Sequence, residues 1–67
     1  MNIQLNGKQH HVPESVCDVK MLIKHLGLSD RIVMVEKNSV ILDGDQYGEV
    51  RLEEGDRLEI VQFVGGG

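Results

Sequence analysis

Aromatic side chains are nearly missing from this sequence: Tyr47 and Phe63 are the only two, and there is no tryptophan. So few rings leave little with which to stack on bases or on a planar cofactor. Positive charge is also scarce. Seven Lys and Arg stand against eleven Asp and Glu, a formal net charge of −4. No Lys/Arg block is present to neutralise phosphates, which argues against a nucleic-acid-binding surface. No stretch approaches the ~20 apolar residues that span a bilayer. Met1 is followed by alternating sequence, with neither a charged n-region nor an apolar h-region, so the expected compartment is the cytoplasm, without membrane association. Cys17 is the single cysteine; it cannot form an internal disulfide, in keeping with a reducing compartment.

What is present is 67 residues, 40% of them hydrophobic, enough for one domain with one small core and near the lower limit for a chain without metal or disulfide support. Asn6-Gly7 supplies the two residues that tolerate positive φ in a type I′ hairpin turn. That turn pairs Leu5 with Lys8, Ile3 with His10 and Met1 with Val12. Ile3, Leu5 and Val12 then face inward, His10 lies near the rim, and Gln4 and His11 face water. Pro13 ends the strand. In "SVCDVKMLIKHLGL", Val16, Val19, Leu22, Ile23 and Leu26 recur at helical spacing and predict an amphipathic helix of about three turns. Asp18 falls in its first turn, Ser15 or Cys17 caps its start, and Gly27 serves as the left-handed residue past its end.

"RIVMVE" is apolar on both faces and reads as an interior strand. Lys37-Asn38-Ser39 turns the chain, "VIL" forms a short strand, and "DGDQYGEV" is a polar crossover with room for one short helical turn. After a turn at Glu54-Gly55-Asp56, "RLEIVQFV" is the last strand. Leu58 and Ile60 lie on one of its faces, and Glu59, Val61 and Phe63 on the other. One helix on one mixed sheet, an α+β arrangement, is all the core this length supplies.

The body offers little chemistry. His10 and His11 are adjacent on a strand and point to opposite faces. Cys17 and His25 lie more than two helical turns apart, so no pair has zinc-ligand spacing and no metal site is expected. Cys17 has no base beside it in the sequence to make it a nucleophile. "GDQYGE" lacks the lysine and the spacing of a phosphate-binding loop. The acidic residues of the turns read as a solvated face. What is left is the end of the chain: Gly65, Gly66 and Gly67. A carboxylate there becomes reactive once activated as an acyl-adenylate, and three extended glycines reach about 10 Å into a narrow channel.

The hairpin–helix–strands order, the "LEEGDRLEIV" segment and the terminal "FVGGG" together resemble the ubiquitin-like β-grasp fold. More narrowly, they resemble the ThiS family, the sulfur carriers of bacterial thiamine biosynthesis. The similarity covers essentially the whole chain, and "LNGK", "IVMVEKN" and "EIVQFVGGG" are especially similar to the Gram-positive type. The resemblance implies a mixed sheet of four to five strands on one main helix, with residues 1–64 as the β-grasp domain and 65–67 as a flexible tail. It implies a carrier and not an enzyme, with no bound cofactor. An E1-like adenylyltransferase (ThiF-type) would consume ATP to adenylate the carboxylate of Gly67. A sulfurtransferase relay would convert it to a thiocarboxylate, and thiazole synthase (ThiG-type) would receive the sulfur.

Gly66 and Gly67 carry over onto the family's Gly-Gly; Gly65 is additional. Val61, Phe63 and Glu59, on the outward face just before the tail, are the expected partner-docking surface. Two other readings stay open. One is a carrier for another client, such as the small subunit of molybdopterin synthase, whose approach to Gly-Gly carries a proline that "FVGGG" lacks. The other is a β-grasp binding module whose glycines are incidental.

Overall fold

The computed structural model describes residues 1–63. Asn6 and Gly7 take φ values of 51° and 82°, as a two-residue type I′ turn requires, and join β1 (Asn2–Leu5) to β2 (Lys8–His11). The register is the one the turn dictates, with Ile3 opposite His10 and Leu5 opposite Lys8. Val12 N donates to Met1 O at 2.8 Å and the Met1 ammonium to Val12 O at 2.7 Å, adding one more pair. Ile3 and Val12 are buried, Leu5 and His10 half-buried, and Gln4 and His11 exposed, following the alternation.

The helix differs from its sequence expectation. α1 (Val19–His25) has seven residues, about two turns instead of three. Asp18 is its N-cap and not a first-turn residue: its backbone is extended and its carboxylate accepts from Met21 N at 2.8 Å. Neither Ser15 nor Cys17 is the cap. The backbone upstream of Val19 is committed elsewhere, since Leu52 N donates to Cys17 O at 2.9 Å and Asp18 bridges to Arg51. Val16 is nevertheless buried in the core from outside the helix. The other end is as expected. Gly27 has φ 75°; Gly27 N donates to Lys24 O at 3.0 Å and Leu28 N to Ile23 O at 2.9 Å, a Schellman closure.

β3 (Val33–Lys37) turns through Asn38 and Ser39, both at positive φ, into β4 (Val40–Leu42). A single 3₁₀ turn, Gly44–Gln46, sits in the crossover, and β5 (Arg57–Gln62) follows. The strand order is β2-β1-β5-β3-β4, with β5 parallel to β1 and antiparallel to β3. This mixed five-stranded sheet with one α-helix is the expected α+β architecture. Val19, Leu22 and Ile23 of α1 form one cluster with Ile3, Val35, Leu58 and Ile60 of the sheet, completed by Val12, Val16 and Leu52. Burying each such Leu or Ile contributes about 1.5–3 kcal/mol before entropy is counted. No helix among the described residues is long and apolar enough to cross a membrane.

One buried charge ties the loops at the entry to β5. Asp56 Oδ2 accepts from Glu53 N at 2.8 Å and lies 3.5 Å from Lys37 Nζ, while Oδ1 accepts from Asn38 Nδ2 at 3.1 Å. Asn38 Oδ1 in turn accepts from Arg57 N at 2.9 Å, so the β3–β4 turn is locked to the start of β5. Asp56→Ala leaves these donors without their acceptor and is expected to cost about 2–3 kcal/mol. For a chain this short that lowers Tm by roughly 8–24 °C, read by circular dichroism. A loss under about 0.5 kcal/mol, the range of an ordinary surface change, would assign the lock to the backbone alone.

Candidate functional site

Strand β5 alternates from Arg57 to Val61. Leu58 and Ile60 are buried, while Arg57, Glu59 and Val61 are exposed on the opposite face. Phe63 continues the outward set: its N–H donates to Ile32 O at 3.0 Å, carrying the β3–β5 pairing one step past the strand. Val61, Phe63 and Glu59 therefore sit where the alternation places them, on the sheet face away from α1. Gly65, Gly66 and Gly67, the sequence-derived site of modification and partner recognition, lie outside the described residues.

The antiparallel register adds residues that the sequence did not assign to this face. Met34 is opposite Val61 and Glu36 is opposite Glu59. Ile41 of β4 is opposite Glu36 on its other side. The result is an apolar surface of Ile32 (74% exposed), Ile41 (64%), Val61 (52%), Phe63 (51%) and Met34 (43%). Among the described residues the two other large exposed apolar side chains, Met21 and Val40, lie off this face. Scattered exposed apolar residues need no explanation, but a contiguous group on one sheet face marks a candidate contact surface. The sequence signal was the outward triplet Ile32-x-Met34-x-Glu36. "RIVMVE" is an interior strand in the sheet order, as expected, yet its second apolar face stays open because no layer among the described residues covers it.

The remaining sequence candidates are dispersed. Cys17 is half-buried and its thiol donates to Met21 Sδ at 3.5 Å. Asn2 Oδ1 accepts from His11 Nδ1 at 3.0 Å, and His10 lies across the sheet from Ile3 at its half-buried rim. Among the described residues no group of three or more His, Cys, Asp or Glu side chains converges to hold a metal ion.

Comparison with known proteins places these features in a family. Residues 2–67 match the model of the ThiS family. The chain is 40% identical over 65 residues to the sulfur carrier protein ThiS of Bacillus subtilis, covering 97% of this chain and 98% of that one. It is 39% identical over 67 residues to thiazole synthases of Paramagnetospirillum magneticum and Magnetococcus marinus, and spans only 20% of their length. The crystal structure of the thiamine biosynthesis protein ThiS from Geobacter metallireducens superposes with a TM-score of 0.82 at 30% identity, each chain covered completely.

The exposure of Phe63 separates a contact role from a core role. Phe63→Ala is expected to change unfolding free energy by no more than about 0.5 kcal/mol, as for a surface position. Ile60→Ala, three residues earlier on the buried face, should cost about 2–5 kcal/mol. Urea titration of both variants checks this, and comparable losses would place Phe63 in the core.

Proposed function

Since the chain belongs to the ThiS family, we propose that it is a sulfur carrier of thiamine biosynthesis whose working group is the carboxylate of Gly67. The whole-length match to a named sulfur carrier at 40% identity supports this most directly. The chain is a carrier and not a catalyst. Its body contributes a folded handle, and the chemistry is done on its terminal acyl group inside other proteins.

In this reading an E1-like adenylyltransferase binds the carrier and ATP. A carboxylate oxygen of Gly67 attacks the α-phosphate and pyrophosphate leaves. The acyl-adenylate turns a poor electrophile into a good one: the persulfide of a sulfurtransferase attacks the acyl carbon and displaces AMP. A second thiol then cleaves the S–S bond of the resulting acyl disulfide, releasing the thiocarboxylate and leaving a disulfide between the two thiols. Thiazole synthase is the client that takes the sulfur. The thiazole synthases that contain a segment 39% identical to this chain support that choice, because such a segment has its client in the same polypeptide. The carrier keeps no resident cofactor; ATP is consumed by its activating enzyme.

Gly65, Gly66 and Gly67 suit entry to an activating site. Ordering them costs roughly 1–2 kcal/mol per residue, which the partner must offset with backbone hydrogen bonds. Docking of the body at Val61 and Phe63, with Glu59 nearby, supplies affinity that three side-chain-free residues cannot.

Intact mass spectrometry after incubation with ATP, a sulfur donor and the cognate activating enzyme tests the reading. The mass should rise by the difference between one sulfur and one oxygen, with the change mapped to Gly67. A variant with alanine appended after Gly67 should fold normally and give no thiazole product. Full thiazole production from that capped variant would overturn the proposal.

A further inference from the structure

Beside the apolar surface lies a feature that an isolated domain has no use for. Glu36 and Glu59 are direct cross-strand partners on the outer face of β3 and β5. Side chains so placed have Cβ atoms about 4.5–5.5 Å apart, and like charges there are destabilising. A cation between them would relieve this, but the ion pair among the described residues, Lys37 with Asp56, engages neither glutamate. Arg57, two residues before Glu59, lines the same shallow depression as both glutamates without approaching either within 4.0 Å.

The rows of the face are ordered. Ile32 and Phe63 come first, then Met34 and Val61, then Ile41, Glu36 and Glu59. A protein that covers the apolar rows also covers the carboxylate pair and takes water from it. Repulsion between the two charges then rises about fourfold as the effective dielectric falls from ~80 to ~20. A purely apolar cover is therefore penalised. A cover carrying one guanidinium between the carboxylates is favoured, because its planar fork can donate to both.

We propose that this face is read by a partner surface that combines apolar side chains with one arginine seated between Glu36 and Glu59. The carboxylate pair is the specificity-determining element that discriminates such a partner from other apolar surfaces. The inference rests on the carrier reading above and commits to thiazole synthase as the occupant.

The test measures binding of the full-length chain to purified cognate thiazole synthase, at low and high salt, for wild type, Glu36→Gln, Glu59→Gln and the double variant. Each single variant should bind several-fold more weakly and the double variant roughly tenfold to a hundredfold more weakly, with the salt dependence of wild type largely gone. Thermal midpoints of the variants should be equal to or above that of wild type, since the repulsion is relieved; a purely structural role would lower them. A double variant that binds as tightly as wild type with the same salt dependence overturns this inference alone. Wild type that accepts sulfur at Gly67 yet binds no thiazole synthase overturns the choice of client and this inference with it. Self-association through the face in sedimentation velocity, abolished by Phe63→Ala and seen in place of synthase binding, assigns it to a second copy and also overturns the proposal.

Discussion

The parallel pairing of the first strand with the last is the constraint from which the rest of the structure follows. It joins residues more than fifty positions apart and is secured at several points. Gly55 N donates to Asn2 O at 2.8 Å, Gln4 N to Asp56 O at 2.8 Å and Asn6 N to Leu58 O at 2.9 Å. Asn6 then extends the ladder with its side chain: Ile60 N donates to its Oδ1 at 2.8 Å and its Nδ2 donates to Ile60 O at 3.2 Å. Parallel strands need a long connection, and the helix, the β3–β4 hairpin and the 3₁₀ crossover all lie within it. The same turn residue thus closes the first hairpin and anchors the last strand.

β5 lies between β1 and β3; its pairing to β1 ends at Ile60, through Asn6, and β3 alone carries the pairing on to Phe63. The antiparallel pairing with β3 holds the outward side chains at this end of β5 in fixed register with those of that neighbour. That is how Val61 and Phe63 acquire Met34 and Ile32 beside them, and a strand-wide strip becomes a surface wide enough to dock against. The Asp56 lock acts at the opposite end of the strand, fixing where β5 begins and hence where it delivers Phe63.

The features legible in the sequence were those set by local chemistry. Asn6-Gly7 fixed a turn, and the turn fixed the register of the four residue pairs between β1 and β2. Gly27 fixed the helix end through a left-handed residue. The alternation Leu58, Glu59, Ile60, Val61 told the two faces of the last strand apart. The start of the helix was not legible from spacing. Val16 fits the apolar stripe, but Cys17 and Asp18 are held by Leu52 and Arg51, a tertiary demand that helical periodicity does not carry. Glu36 was missed for a related reason. Nothing in "RIVMVE" says that its last residue faces Glu59; that follows only from the antiparallel register of strands over twenty residues apart. The tail was the reverse case, conspicuous in composition while its role came through family resemblance.

Natural sequences agree with their folds at most levels, and the places where they break the rules tend to be where function lies. Two rules are broken here. Large apolar side chains are left on an uncovered sheet face, and two carboxylates face each other across a strand pair. Each alone is common enough to pass without comment. Their adjacency is harder to dismiss, because the two violations temper one another. An apolar face at the root of a tail invites indiscriminate contact, and charge repulsion at its border raises the free energy of any contact that does not supply a cation. On the carrier reading proposed above, a chain that must dock, be released and dock again gains from a surface that adheres only when both demands are met. Stability gives up a little at this face, while the buried side of the same strands, with Val35, Leu58 and Ile60 in the core, holds the fold.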